Sequence, residues 1–325
     1  MLVISPIVKA SVSLVQISLK AKKKLALRPI DNALPIIPDS LRPKKQAKVS
    51  IQPQKKASEI SVNDENKAPL PQPIDASVDY VASKNLKPFQ DPESNIQSLV
   101  EGLDSKDWVK VCQSLNDARR FSLYHPGLLL PVLEKVMLVV VKSMKNPRSA
   151  LCKTSIMAAS DIFNAYGEKL LDSTDSTAFD QLLLQLLLKA SQDKKFVCEE
   201  ADKSLTAMVN SIAALPLLQK LRRFVNHGNL RVRAKAAVSI SNSVYKMGSE
   251  EIKEFGSVTL LQMATDLLND RLPEAREAAR SIVLSVYEAF TESEKLDTEE
   301  DWQSFCQSNL STIQSQSMIK VVSSQ

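Results

Sequence analysis

Five segments of the 325-residue sequence repeat one short pattern: an apolar residue, then Cys or Arg, two variable residues, and a small or apolar residue. They are Val111-Cys112-Gln113-Ser114-Leu115, Leu151-Cys152-Lys153-Thr154-Ser155, Val197-Cys198-Glu199-Glu200-Ala201, Val232-Arg233-Ala234-Lys235-Ala236 and Ala275-Arg276-Glu277-Ala278-Ala279. The second positions are separated by 40, 46, 35 and 43 residues. Units of this length cannot bury an apolar face alone and do so by stacking on their neighbours, which is the logic of an α-solenoid. The first and last positions of the pattern lie four residues apart, on one helix face. A small residue at the last position lets the next helix approach closely.

More hydrophobic stretches lie between the repeated segments: Leu128–Val141, Phe179–Ala190, Leu215–Phe224 and Val258–Leu268. Phe179–Ala190 is Leu-rich nearly all round, as a helix buried between two layers must be. A helix near Glu93–Leu103 opens the series, with Asp91-Pro92 as cap and first helical residue, and one near Glu299–Leu310 closes it. No stretch shows sustained strand-like alternation. The expected fold is all-α: a solenoid of about five to six HEAT/armadillo-like helix pairs, some eleven helices over residues 91–313. Residues 314–325 read as a flexible tail.

Residues 1–90 read differently. They hold ten of the sixteen prolines and none of the six glycines, with 15 Lys/Arg against 7 Asp/Glu. The arm therefore carries +8 and the remainder −3, so the net charge of +5 belongs to the arm. Such a segment buries too little apolar surface to offset its ordering entropy and is expected to be a disordered, basic arm. The first 24 residues lack acids, as transit peptides do, but they also lack Arg and a cleavage site, so a plain terminus is the expected reading.

Nothing in the sequence points to catalysis, a metal or a cofactor. His125 and His227 each sit beside a turn residue and read as helix-end or surface groups. None of the usual phosphate-loop, dinucleotide, zinc-protease or nucleophile-elbow motifs occurs. Cys112, Cys152 and Cys198 occupy the repeat column and read as packing residues, consistent with a reducing, intracellular compartment. No run is long enough to form a transmembrane segment. The arm has almost no interleaved aromatics, and the rest is slightly acidic, which argues against nucleic acid as partner.

The chemistry concentrates instead in the turns that precede the five repeated helices: 105–110, 145–149, 191–196, 227–231 and 269–273. Each offers at least one cation, and the first adds Trp108. Stacked units place equivalent turns on one edge, so these should form a narrow stripe, and Trp and Arg are frequent anchors of protein interfaces. Periodicity leaves Trp108 open between a core residue of the first helix pair and a surface anchor.

On these residues the sequence resembles the TOG domains, the tubulin-binding HEAT arrays, most of all those of the CLASP and crescerin type. The resemblance covers roughly Asp91 to Leu310 and rests on Lys106-Asp107-Trp108, Arg148-Ser149, Glu200–Leu205, Val232-Arg233 and Ala275–Arg280. It implies a non-enzymatic microtubule-associated protein, cytoplasmic and cytoskeletal, with αβ-tubulin or microtubules as partner and other cytoskeletal proteins besides. It also implies contact with tubulin by Trp108, Arg148, Lys194, Lys195, Arg231 and Arg271. A single array with a basic arm fits a lattice-associated stabiliser or organiser. The alternative is a HEAT/armadillo adaptor that holds a peptide in its concave groove, marked by exposed aromatic and Asn residues along the inner helix face. Two departures concern the edge: the fourth turn is only partly basic, and Asp270 and Glu274 flank Arg271, which should weaken its pull on an acidic partner.

Overall fold

The computed structural model describes residues 80–171, 177–294 and 299–324. The chain divides into two units, Met1–Leu70 and Pro71–Gln325, and the described residues all belong to the second. The expectations for residues 1–79, the arm and the start of the chain, fall outside them.

Among the described residues the structure is helical throughout, in the expected two-layer order. The five repeated segments lie in α2 (Trp108–Tyr124), α4 (Ser149–Tyr166), α6 (Lys195–Ser211), α8 (Leu230–Lys246) and α11 (Pro273–Glu294). The second layer comprises α1 (Pro92–Leu103), α3 (Leu133–Met144), α5 (Thr177–Ala190), α7 (Ala214–Leu221) and α10 (Ser257–Leu268). A short α9 (Ser249–Phe255) precedes α10, and α12 (Glu299–Asn309) and α13 (Thr312–Ser323) close the array.

The repeat pattern is explained by burial. Leu115, Ser155, Ala201, Ala236 and Ala279, the last position of each copy, are all 0% exposed, and the leading Val111, Leu151, Val197, Val232 and Ala275 are buried too. Small side chains at the closest point of the layer admit the neighbouring helix backbone, and the apolar residue one turn earlier fills the space beside it. Phe179, Leu182, Leu183, Leu186 and Leu187 of α5 are buried, as its composition requires. Closest approach is most severe where α4 ends. A Cβ on Gly167 would lie 2.0 Å from the carbonyl oxygen of Ser211 at the end of α6. That neighbour is backbone and cannot swing away, so Gly167→Ala is expected to destabilise the chain by about 1–3 kcal/mol through forced displacement. A urea midpoint unchanged from wild type would contradict it.

The second layer departs from expectation at particular residues. The stretch from Leu128 is not one helix: a turn of helix, Pro126–Leu129, and a 3-10 turn, Leu130–Val132, precede α3. Pro131 lacks an N–H and cannot continue the helix from the previous turn. The stretch Leu215–Phe224 ends in a 3-10 turn at Arg222–Phe224. Gly256, with φ of 103°, separates α9 from α10, a backbone angle that favours glycine. Residues 314–325, read as a flexible tail, lie largely in α13. That helix opens with a capping box between Ser311 and Gln314 and buries Met318.

The ordered chain also begins before Asp91. Residues 80–90, assigned from composition to the disordered arm, form a strap along α2 and α4. Arg119 donates to the Val81 carbonyl (2.8 Å), Tyr124 to that of Leu86 (2.7 Å) and Arg120 to that of Lys87 (2.8 Å). Leu86 is buried, and Phe89 lies under the Arg120 guanidinium, 3.6 Å from its ring centre, and against Phe121.

The layer of repeated helices is continuous from α2 through α4 to α6, and again from α8 to α11, whereas α6 and α8 meet over a much smaller surface. Polar bridges span this junction. Lys235 pairs with Asp202 at 2.9 Å, and Lys246 donates to the carbonyls of Val209 (2.7 Å) and Asn210 (3.2 Å).

A candidate protein-binding edge

Four of the five turns before the repeated helices share a local device. The side chains of Asp107, Asn146, Asn229 and Asp270 each accept a hydrogen bond from the N–H two residues on, at 2.8–2.9 Å. Such Asx turns close the loop through its own side chain and leave the neighbouring residues facing outward. Asp107 and Asn229 are also the N-caps of α2 and α8. His227 belongs to this local scaffolding: its Nδ1 accepts from the Asn229 N–H at 3.1 Å. His125 caps the end of α2, against Phe121 and Phe89.

Consecutive turns lie side by side. The second and third border a hollow of about 600 Å³ lined by Lys145, Asn146, Pro147 and Asp193, Lys194 among others. The third borders a second hollow of about 420 Å³ together with Arg231, Leu272 and Glu274 of the fourth and fifth. The first and second are joined by Trp108 and Arg148, whose guanidinium lies 5.5 Å from the ring centre. At that distance a cation is attracted to the face of an indole. Both readings left open for Trp108 hold in part: the side chain is half-buried, packed against the core, and still reaches the edge.

The six residues singled out by sequence are thus at this edge but differ in state. Arg148, Lys194 and Arg271 are exposed, and no carboxylate lies within ion-pair distance of them among the described residues. Lys195 is exposed and 3.8 Å from Glu199, one turn along its own helix, a pair that screening makes weak. Arg231 is engaged: it binds the Asp193 carboxylate and the Ser191 carbonyl of the third turn, which neutralises part of its charge. Asp270 does not pair with Arg271, though Glu274 stays exposed nearby. The Asp270 carboxylate turns inward, 2.8 Å from Arg233 Nε, and leaves Arg271 uncompensated. Arg276 covers the Asp270 and Arg271 carbonyls. The two arginines of the repeat column therefore hold the last turn together. Sequence reasoning passed over Phe196, exposed beside Lys194 and Lys195. Its signal was an aromatic at the first turn of a helix, where no core position is due.

Burial acts to raise the Asp270 pKa, but the Leu272 N–H, Arg233 and Arg276 outweigh it and hold the carboxyl below the usual carboxylate range. A folded-state pKa below the unfolded value means stability that is fully present above about pH 4 and lost as pH falls through the folded value. The stability gap between wild type and Asp270→Asn is therefore expected to narrow between pH 6 and pH 3 in urea titrations. A gap constant across that range would contradict the assignment. Cys112 and Cys152 match a packing role, and Cys306 does too: all three are buried, and burial pushes Cys112 up to about 11 and Cys306 to about 12, whereas Cys198 is only half-buried and donates to the Ala190 carbonyl at 2.9 Å. Among the described residues no group of acidic, His or Cys side chains could hold a metal ion, and no helix is long and apolar enough to cross a membrane.

The sequence model of the CLASP N-terminal family matches residues 124–309, more than half of the chain. The chain belongs to that family. Family membership and the two-layer helical array together place it outside the enzymes. It is 28% identical over 212 residues to the mouse TOG array regulator of axonemal microtubules protein 1, covering 64% of this chain and 12% of that protein. With the human protein of the same name it is 32% identical over 127 residues, 39% of this chain and 7% of the relative. The chain thus spans an eighth or less of the length of these relatives. Among solved structures, a TOG domain of Zyg9 from C. elegans aligns over 61% of this chain and 73% of its own, with a TM-score of 0.49 and 15% identity. The MAST/Orbit N-terminal domain aligns over 72% and 97%, with a TM-score of 0.47 and 15% identity.

Proposed function

We propose that this CLASP N-terminal family member is a microtubule-associated protein that binds αβ-tubulin through the edge formed by its intra-repeat turns, organising or stabilising microtubules of the cytoplasmic cytoskeleton. The observation that carries the reading is the meeting of Trp108 and Arg148 across the first two turns, on the edge where Lys194 and Arg271 stand without carboxylate partners among the described residues. A half-buried aromatic that is already positioned costs little entropy on binding, and uncompensated cations beside it favour an acidic partner. The names of the mouse and human relatives, regulators of axonemal microtubules, point to the same partner class.

The test is co-sedimentation of the full chain with stabilised microtubules, alongside size-exclusion chromatography with free tubulin, at 50 and 200 mM salt. Binding to at least one form, weakened at the higher salt, is expected, because exposed cations are screened over a Debye length of about 8 Å at physiological ionic strength. Failure to bind either form at the lower salt would overturn the proposal while leaving the fold untouched.

A further inference from the structure

The strap shows what the face of the repeated-helix layer holds. Its main chain, extended on either side of a 3-10 turn at Ser83–Asn85, lies along α2 and α4 and is gripped chiefly through carbonyl oxygens, by Arg119, Arg120 and Tyr124, while Ser83 reaches the Asp161 carboxylate at 2.8 Å. Counted from the repeat column at Cys112 and Cys152, Arg119 and Arg120 are the seventh and eighth residues onward on α2, and Asp161 is the ninth on α4. The same count from Cys198 and Arg233 gives Leu205 and Thr206 on α6 and Asn242 on α8. These three residues line a groove of about 220 Å³ at the junction of α6 and α8. The repeat thus builds the strap's seat a second time, two units along, where the layer is least tightly closed.

The second seat has different chemistry. Leu205 stands where Arg119 does, and with Val209 and the exposed Val238 it makes the wall apolar. Asn242, exposed, replaces Asp161 and offers an amide that both donates and accepts, the complement of a peptide main chain. Asp202, Glu274 and a single cation, Lys235, line the groove; Lys235 pairs with Asp202 at 2.9 Å, which leaves Glu274 with no cation at ion-pair distance among the described residues. The Lys235–Asp202 and Lys246 bridges fix the two helices at this spacing, so the groove is preformed.

We propose that the groove between α6 and α8 docks an extended peptide of a partner protein, one carrying an aliphatic side chain beside a Lys or Arg. The aliphatic group fills the space walled by Leu205, Val209 and Val238. The peptide main chain pairs with the Asn242 amide, and the cation lies against Glu274. This surface is distinct from Trp108 and Arg148 on the edge and does not depend on tubulin binding there.

A phage-displayed library of random twelve-residue peptides selected against the full chain provides the probes, and enriched peptides are measured by fluorescence anisotropy. The expected consensus is an aliphatic residue next to Lys or Arg. Its affinity should fall about tenfold or more for Val238→Glu and for Asn242→Ala and be unchanged for Trp108→Ala. Val238 and Asn242 are exposed, so both variants are expected to retain the wild-type melting profile by circular dichroism. The proposal is overturned if no peptide is enriched, if the consensus is acidic, or if enriched peptides bind folded Val238→Glu as well as wild type.

Discussion

Replacing Arg119 by leucine is expected to cost about 3–5 kcal/mol of stability, the largest single effect in the chain, because it strands a buried carboxylate. Arg119 is 0% exposed and spends its donors in three directions. Nε binds Asp161 of α4 at 2.7 Å, and Nη1 binds Asn116 of its own helix at 2.9 Å and the Val81 carbonyl of the strap at 2.8 Å. Nη2 reaches Ser83 at 3.1 Å. Without the guanidinium, Asp161, itself buried, keeps only the Ser83 hydroxyl among these partners. The penalty comes from that orphaned charge, more than from the net worth of the pair, since a buried pair replaced on both sides by apolar groups is often nearly neutral. Arg119→Leu with Asp161→Leu should therefore recover much of the loss. The strap supplies a second readout: deprived of its grip on Val81 and Ser83, the segment at 80–85 should become cleavable by trypsin at Lys84 under native conditions. A urea midpoint within 0.5 kcal/mol of wild type, with the strap still protected, would show that water already serves this pair.

The strap marks the limit of what the sequence discloses. The two-layer array was legible because burial acts at fixed spacing: five leading apolar residues, and four small residues with Leu115 one turn later, recur on one helix face, and each is buried. That period also located the edge, since equivalent turns in a stack must align. The strap has no such period. Its composition, with Pro88, Lys84 and Lys87, is that of a disordered arm, and its order is imposed by α2 side chains that reach its carbonyls from 32 to 38 residues away. The electrostatics of the edge were hidden for a similar reason. Asp270 beside Arg271 looked like a neutralising neighbour, yet an Asx turn points it at Arg233 instead. Asp193, whose neighbours in sequence are Lys194 and Lys195, in fact pairs with Arg231 of the next turn. Position along a repeat could be read from spacing, but the pairing of charges between repeats could not.

Those pairings decide how five of the six edge residues should rank. Trp108→Ala is expected to weaken tubulin binding by about 2 kcal/mol, near thirtyfold, as loss of a central aromatic anchor does. Arg148→Ala is expected to cost about 1 kcal/mol, and the double variant less than the sum, by about 0.5–1 kcal/mol, because the guanidinium and indole support each other. Lys194→Ala and Arg271→Ala remove uncompensated charges and should show as salt-sensitive losses of about 0.2–1 kcal/mol each. Arg231→Ala should cost least, since Asp193 already holds that side chain and its removal frees a carboxylate as it deletes a cation. The same balance makes Asp193→Asn a gain: it releases the Arg231 charge toward the partner and should strengthen binding at low salt. Because Trp108 also packs against the core, Trp108→Leu, which keeps apolar volume, separates the two roles. If folded Trp108→Leu and Trp108→Ala both bind tubulin as wild type does while Arg231→Ala abolishes binding, the partner does not read this edge from the first turn. The contact would then be centred on the third and fourth turns, around Phe196 and the hollow between Asp193 and Glu274.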